Sequence, residues 1–245
     1  MDYKNYKLNV FQYILYGSIF LFLLATYSRL FYDSFIPVLL FIPCIYPYFN
    51  FVSRSLCSKR QRSLILQFKD MITSISASLN TGYSLENALV ESLNEMSILY
   101  GENSLICMEL ELIKRKLLLN VPVGDLFGDL AIRSGMDEIS VFSEIINISK
   151  KSGGDMISII RTSAFSISSK ISLEDEIHTS IAAKKFELYI MAFLPVFIMF
   201  YVNLTQPGFY ESMYHNIIGI IIMSICLAIY FSALVLANKI LRIEV

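Results

Sequence analysis

The chain has 245 residues, 55% of them hydrophobic, with a mean hydropathy of +0.57 and a formal net charge of −1 at pH 7. That apolarity excludes an ordinary water-soluble domain, and the near-neutral balance argues against nucleic acid as the main partner, because phosphate binding needs a clustered basic face. Four cysteines without a C-x-x-C pair argue against a disulfide framework.

Residues 8–28 contain no Asp, Glu, Lys or Arg and match the ~20 residues that a helix needs to span hydrocarbon. Lys4 and Lys7 ahead of them resemble the basic start of a cleavable leader. No small-residue cleavage site follows, since Ala25-Thr26-Tyr27 is a poor substitute, so the stretch reads as a membrane span. Residues 34–53 form a second charge-free stretch, interrupted by Pro37, Pro43 and Pro47, which predict kinks or a re-entrant path.

The composition then changes. Residues 54–185 carry 15 Lys or Arg against 16 Asp or Glu, a balance suited to water, over a length that buries a core. Helical spacing recurs in Leu64, Phe68, Met71, Ile72, Ile75 and Leu79, in Leu85, Leu89, Leu93 and Met96, and in Ile106, Leu110, Ile113 and Leu117. A shorter helix is predicted near Val123 with Leu126, Phe127 and Leu130 inward, and another from Asp137 through Phe142, Ile145 and Ile146. A last one carries Ile157, Ile160, Ala164, Ile167 and Ile171. Six amphipathic helices predict a bundle.

The breaks between them have a chemical logic. Gly82 suits the left-handed position after a helix, with Ser84 capping the next and Glu86 in its first turn. Gly101 with Asn103 or Ser104 makes the second break, and Asn120 with Pro122 the third. Gly135 with Asp137, and Gly153-Gly154 with Asp155, repeat the glycine-then-cap pattern. Gly82, Ser84, Leu85 and Leu89 align with Gly153, Asp155, Met156 and Ile160 at an offset of 71 residues, a faint internal duplication that two well-built helical turns explain equally well.

No Gly or Pro occurs between Asp155 and Pro195, so the last helix is expected to run unbroken into a third charge-free stretch, residues 188–210; a fourth covers residues 212–238. Lys4, Lys7, Arg54, Lys59, Arg60, Arg62, Lys184, Lys185, Lys239 and Arg242 all fall on the side of the N-terminus. On the opposite side residues 29–33 hold only Arg29, and residues 205–216 hold no Lys or Arg. Short-loop basic residues resist translocation, so both termini are expected in the cytoplasm of a multi-pass cell-membrane protein. The expected fold is all-α, with a transmembrane hairpin over residues 1–53, a cytosolic six-helix bundle over 54–185 and a second hairpin over 186–245.

Three segments carry a family likeness: GYSLENAL at Gly82 to Leu89, VPVGDLFGDLA at Val121 to Ala131, and SGGDMISII at Ser152 to Ile160, followed by a long helix and an apolar span. Together they resemble the F-domain of type II secretion and type IV pilus platform proteins, over roughly residues 64–204. The single domain copy and paired spans most resemble the TadB/TadC branch, which serves tight-adherence (Flp) pili. The resemblance implies a non-enzymatic inner-membrane platform. Its implied partners are a hexameric secretion ATPase, a paralogous F-domain platform protein and pilin subunits, in a homo- or hetero-oligomer within the lipid bilayer.

The residues agree with a protein lacking chemistry of its own. No P-loop G-x-x-x-x-G-K-[ST] is present, Gly124 and Gly128 lacking the lysine, and no H-E-x-x-H occurs. No Asp lies within a predicted span, which removes the paired carboxylates of an intramembrane aspartyl peptidase. His178 and His215 lack a metal-ligand spacing to any partner. No residue is therefore assigned a catalytic, cofactor-binding or metal-binding role.

Glu109, Glu111, Asp125, Asp129, Asp137 and Glu138 read most simply as solvated faces and caps, with a cation site or a basic partner surface as alternatives. Asp125 and Asp129 are an i, i+4 like-charge pair that calls for a partner. Lys114-Arg115-Lys116 reads as a solvated run, or as a contact for anionic lipid or an acidic motor edge. A small transporter or permease subunit with a regulatory bundle is the competing function, and a membrane-anchored signalling module a third. Transport would leave ionisable residues inside the spans, and none is embedded.

Overall fold

The computed structural model describes residues 3–4, 8–34, 38–39, 43, 45–152, 156–206, 208–214 and 216–243, and no strand occurs among them. The helices are α1 (Val10–Tyr32), α2 (Ile45–Asn80), α3 (Leu85–Tyr100), α4 (Leu105–Leu117), α5 (Val123–Ser134), α6 (Asp137–Ser152), α7 (Met156–Thr205), α8 (Glu211–Tyr214) and α9 (Ile217–Ile243). They form two compact units, one from Met1–Lys7 and Ser53–Asp175, the other from Leu8–Val52 and Glu176–Val245.

The first unit is built on the periodic apolar residues. Leu64, Phe68, Met71, Ile72, Ile75 and Leu79 of α2 join Leu89 and Met96 of α3, Ile106, Leu110 and Ile113 of α4, and Leu126, Phe127 and Leu130 of α5 in one buried cluster. Phe142 and Ile146 of α6 and Ile160, Ala164, Ile167 and Ile171 of α7 complete it. Ile157, expected inward with them, is 40% exposed. At the centre Phe68, Phe127 and Phe142 meet edge to face, with ring centroids 6.3, 5.7 and 5.1 Å apart, the arrangement that the ring quadrupole favours.

Turn chemistry sets the helix ends. Gly82 lies at φ +89°, a region L side chains avoid, and the Ser84 side chain accepts from the Asn87 N–H at 3.3 Å to start α3. Of the two candidates after Gly101 it is Ser104 that caps α4, accepting from Cys107 N–H at 3.4 Å. The side chain of Gln67, reaching from α2, also accepts from Ile106 N–H at 3.1 Å. Asn120 takes a left-handed φ of 60° before Pro122, which ends that helical segment. Asp137 departs from its expected capping role. It is the first residue of α6, where its charge faces the positive end of the helix dipole, while Met136 precedes the helix. The expected break at Gly153-Gly154-Asp155 lies outside the described residues.

The segment VPVGDLFGDLA owes its two glycines to close packing of α5 on α6. A Cβ at Gly124 would meet Asn147 Oδ1 at 2.0 Å and one at Gly128 would meet Ser143 Oγ at 3.2 Å. Ser143 Oγ donates to the Gly124 carbonyl at 2.8 Å, so a short side chain of α6 reaches the backbone of α5 directly. Gly124 and Gly128 lie four residues apart on one face of α5, with Asp125 and Asp129 outside the core.

Among the described residues three helices are long and apolar enough to cross a membrane: Val10–Tyr32 and Ile217–Ile240, which belong to the second unit, and Ile157–Thr205, whose residues from Glu176 onward do. The chain thus has the helices of a membrane protein. Their large apolar side chains stay exposed, Phe22 at 73% and Ile229 at 62% among them, as expected of surfaces suited to lipid rather than water. Four spans are expected from the sequence; the second, over residues 34–53, falls partly outside the described residues, and positions 45–53 open α2.

Tyrosine hydroxyls tie this unit together where its helices meet. Tyr32 and Ser224 share a hydrogen bond of 2.8 Å, Tyr214 donates to the Leu30 carbonyl at 2.6 Å, and Tyr230 donates to the Ala192 carbonyl at 2.5 Å. In an apolar medium such partners relieve the cost of a lone hydroxyl. Gly17 faces Phe49, and Gly219 lies so near the Met213 backbone that a Cβ would come within 2.2 Å of its carbonyl oxygen, which accounts for two of the small residues in the predicted spans.

Candidate functional site

The densest polar arrangement in the first unit centres on Glu109. In α4 this residue sits three positions after Ile106 and four before Ile113, both buried, so helical geometry turns its carboxylate inward. It is 1% exposed. The expectation that it belongs to a solvated face is therefore corrected: the apolar stripe of α4 carries a charge.

A charge removed from water needs a partner of matching geometry. Arg133, near the end of α5, supplies one by donating Nη1 to Oε1 at 2.8 Å and Nη2 to Oε2 at 2.7 Å, a two-pronged pairing. Tyr3 adds a third donor, its hydroxyl lying 2.8 Å from Oε1. Tyr3 is itself 1% exposed. Its backbone N–H donates to the Arg133 carbonyl at 3.1 Å, and Arg60 of α2 stands 4.9 Å above its ring. The thiol of Cys57 donates to the carbonyls of Tyr3 and Lys4 at 3.2 and 3.3 Å.

These contacts set the protonation states. Burial by itself pushes the Glu109 carboxyl up, but the hydrogen bonds from Arg133 and Tyr3 and the Arg133 charge outweigh it and hold the group below the usual carboxylate range. Burial, then the hydrogen bond to Glu109, push the Tyr3 hydroxyl up, so it remains a donor at any physiological pH. A carboxyl depressed on folding contributes stability above its unfolded value and loses that contribution as pH falls through the lower, folded one. Chemical denaturation of the full chain should therefore show stability falling from about pH 5 downward, and Glu109→Gln should make that acid limb shallower.

Asp129, Glu111 and Glu138 have partners too. Asp129 bonds Lys116 Nζ at 3.1 Å and lies 3.4 Å from Arg133 Nε, which resolves the like-charge conflict with Asp125. Glu111 pairs with Arg115 at 3.4 Å, and Glu138 with Lys170 at 2.6 Å. Two members of the basic run 114–116 are thus held by acidic side chains of the same unit. Among the described residues no group of three or more His, Cys, Asp or Glu is placed to hold a metal ion. His178 lies in α7, and His215 is outside the described residues.

Chemically the arrangement has neither a nucleophile beside a base nor a metal-ligand set; what it offers is a fixed electrostatic lock between α4, α5 and the N-terminal segment. The sequence carried one signal for it, an acidic residue inside the Ile106, Leu110, Ile113 stripe. Nothing local marks Tyr3 or Arg133 as its partners. Comparison with protein-family models, with curated proteins and with solved structures finds no match to this chain.

Proposed function

We propose that the chain is a non-enzymatic platform protein of a type II secretion or tight-adherence (Flp) pilus assembly machine, coupling a cytosolic hexameric ATPase to pilin insertion or extraction. In this reading residues 54–185 form a cytosolic six-helix bundle of the F-domain type between two membrane hairpins, both termini lie in the cytoplasm, and the chain works in the cell membrane beside a paralogous partner. The observation that carries it is α7. This helix of 50 residues begins among the buried side chains Ile160, Ala164, Ile167 and Ile171 and ends in the apolar stretch before Thr205, the order in which the family-like segment SGGDMISII leads into a span. Further support comes from GYSLENAL, a left-handed glycine turn with a serine cap, and from VPVGDLFGDLA, a close-packed glycine face. The absent P-loop requires work to come from outside the chain.

The test is copurification of the full-length protein, in detergent and in nanodiscs, with a hexameric secretion ATPase from the same organism. Stable association that Lys114→Glu with Arg115→Glu weakens is the expected result. Failure of the intact chain to associate in either format removes the coupling role.

A further inference from the structure

The large apolar side chains that the first unit leaves most open to solvent are Ile98, Leu118 and Leu119, at 84%, 80% and 76%. They occupy two places. Ile98 and the exposed Leu99 stand in the last turn of α3, and Leu118 and Leu119 directly follow the last residue of α4. Because α3 and α4 pack on each other and are joined by the turn 101–104, these places lie at opposite ends of a helical hairpin, about 20 Å apart for the 13 residues of α4.

Each place carries charge of its own sign. Glu91, Glu95 and Ile98 recur at helical spacing on one exposed face of α3, with Glu102 in the turn beyond, and α3 contains no Lys or Arg. Lys114, Arg115 and Lys116, all exposed, lead into Leu118 and Leu119. The other solvent-facing acids of the hairpin are Glu86, in the first turn of α3, and Glu111, which pairs with Arg115 as Asp129 does with Lys116, across surface ion pairs that contribute little. Among the described residues Lys114, Glu91, Glu95 and Glu102 have no ion-pair partner.

The two ends of one hairpin do not answer each other, since their separation is more than twice the Debye length of about 8 Å at physiological salt. The ends of two molecules can. An apolar centre with a charged rim has the anatomy of a protein interface, unlike apolar residues scattered singly over a surface. An anionic bilayer would attract the basic end and repel the acidic one, whereas a partner bearing both patches satisfies both. We propose that this partner is a second copy of the chain: the Glu91, Glu95, Ile98 face of one copy docks on the Lys114 to Leu119 segment of the other.

The test mixes donor-tagged and acceptor-tagged copies of the full-length chain in one detergent, with no ATPase present, and follows energy transfer on dilution. Three forms are compared: the parent, Glu91→Lys with Glu95→Lys, and Lys114→Glu with Arg115→Glu. The parent should associate, less tightly as salt is raised, and each reversed form alone should associate at least about tenfold more weakly. Mixing the two reversed forms should restore the parental affinity, because each reversed patch then meets its complement. Circular dichroism checks that each form is folded; one that is not gives way to its Gln counterpart, for which the loss alone is expected. Glu91→Lys with Glu95→Lys leaves the basic run intact, so its effect is separate from any contact of that run with an ATPase, and the inference stands or falls without the secretion role. A parent that does not associate, association that either reversal leaves unchanged, or folded reversed forms that fail to restore one another would overturn the pairing.

Discussion

Arg133→Met is expected to destabilise the first unit by about 3–5 kcal/mol, because it leaves the Glu109 carboxylate buried with its countercharge removed. Glu109 is 1% exposed, so water cannot replace the guanidinium, and the neutral Tyr3 hydroxyl cannot stand in for the two charged donors that are lost. The carboxyl must then take up a proton, or the unit must open. Cys107, buried one helical turn before Leu110, gives a direct measurement: as the sole thiol in the full chain its maleimide labelling along a urea series reports the open population, which grows about tenfold per 1.4 kcal/mol. The combination Glu109→Leu, Arg133→Met and Tyr3→Phe, which removes all three polar groups, should recover most of the loss. A shift below about 1 kcal/mol for Arg133→Met would mean that Glu109 is reached by water, and the lock described above would not exist.

Phe127→Ala should cost a comparable amount, about 3–5 kcal/mol, by a different route. Phe127 is fully buried between Phe68 of α2 and Phe142 of α6, with centroids 6.3 and 5.1 Å away, so truncation removes both ring contacts and leaves a void among three helices. The glycines on α5 sharpen the expectation. At Gly124 and Gly128 the side chains of Asn147 and Ser143 on α6 already reach the α5 backbone, so the helices have little further distance through which to collapse into the space. Labelling of Cys107 should rise at low urea in this variant, with Phe127→Leu intermediate. If Phe127→Ala matches the parent, α5 does not pack as described and the account of VPVGDLFGDLA falls with it.

These two residues also differ in how far they could be foreseen. Phe127 was readable as an inward residue because Leu126, Phe127 and Leu130 keep a helical period, and the period alone says which side faces the core. Ser84 and Gly82 were readable for a similar reason: a hydroxyl that accepts a helix N–H and a residue tolerant of positive φ act within a few bonds of the backbone they shape. Asp137 was misplaced by one position because a first-turn acid and a capping acid are both favoured at a helix start, and only the backbone path of Met136 separates them.

By itself, then, the amino-acid order determined the helices, most of their caps, the buried stripe of each and the apolar runs suited to a bilayer, since all of these arise from interactions between residues near in the chain. Only the tertiary structure decided that Glu109 is buried, that Arg133, 24 residues later, is its counterion, and that Tyr3, 106 residues earlier, completes the site. Ion pairing and hydrogen bonding depend on distance in space and on the exclusion of water, and a linear pattern carries neither until the helices have packed.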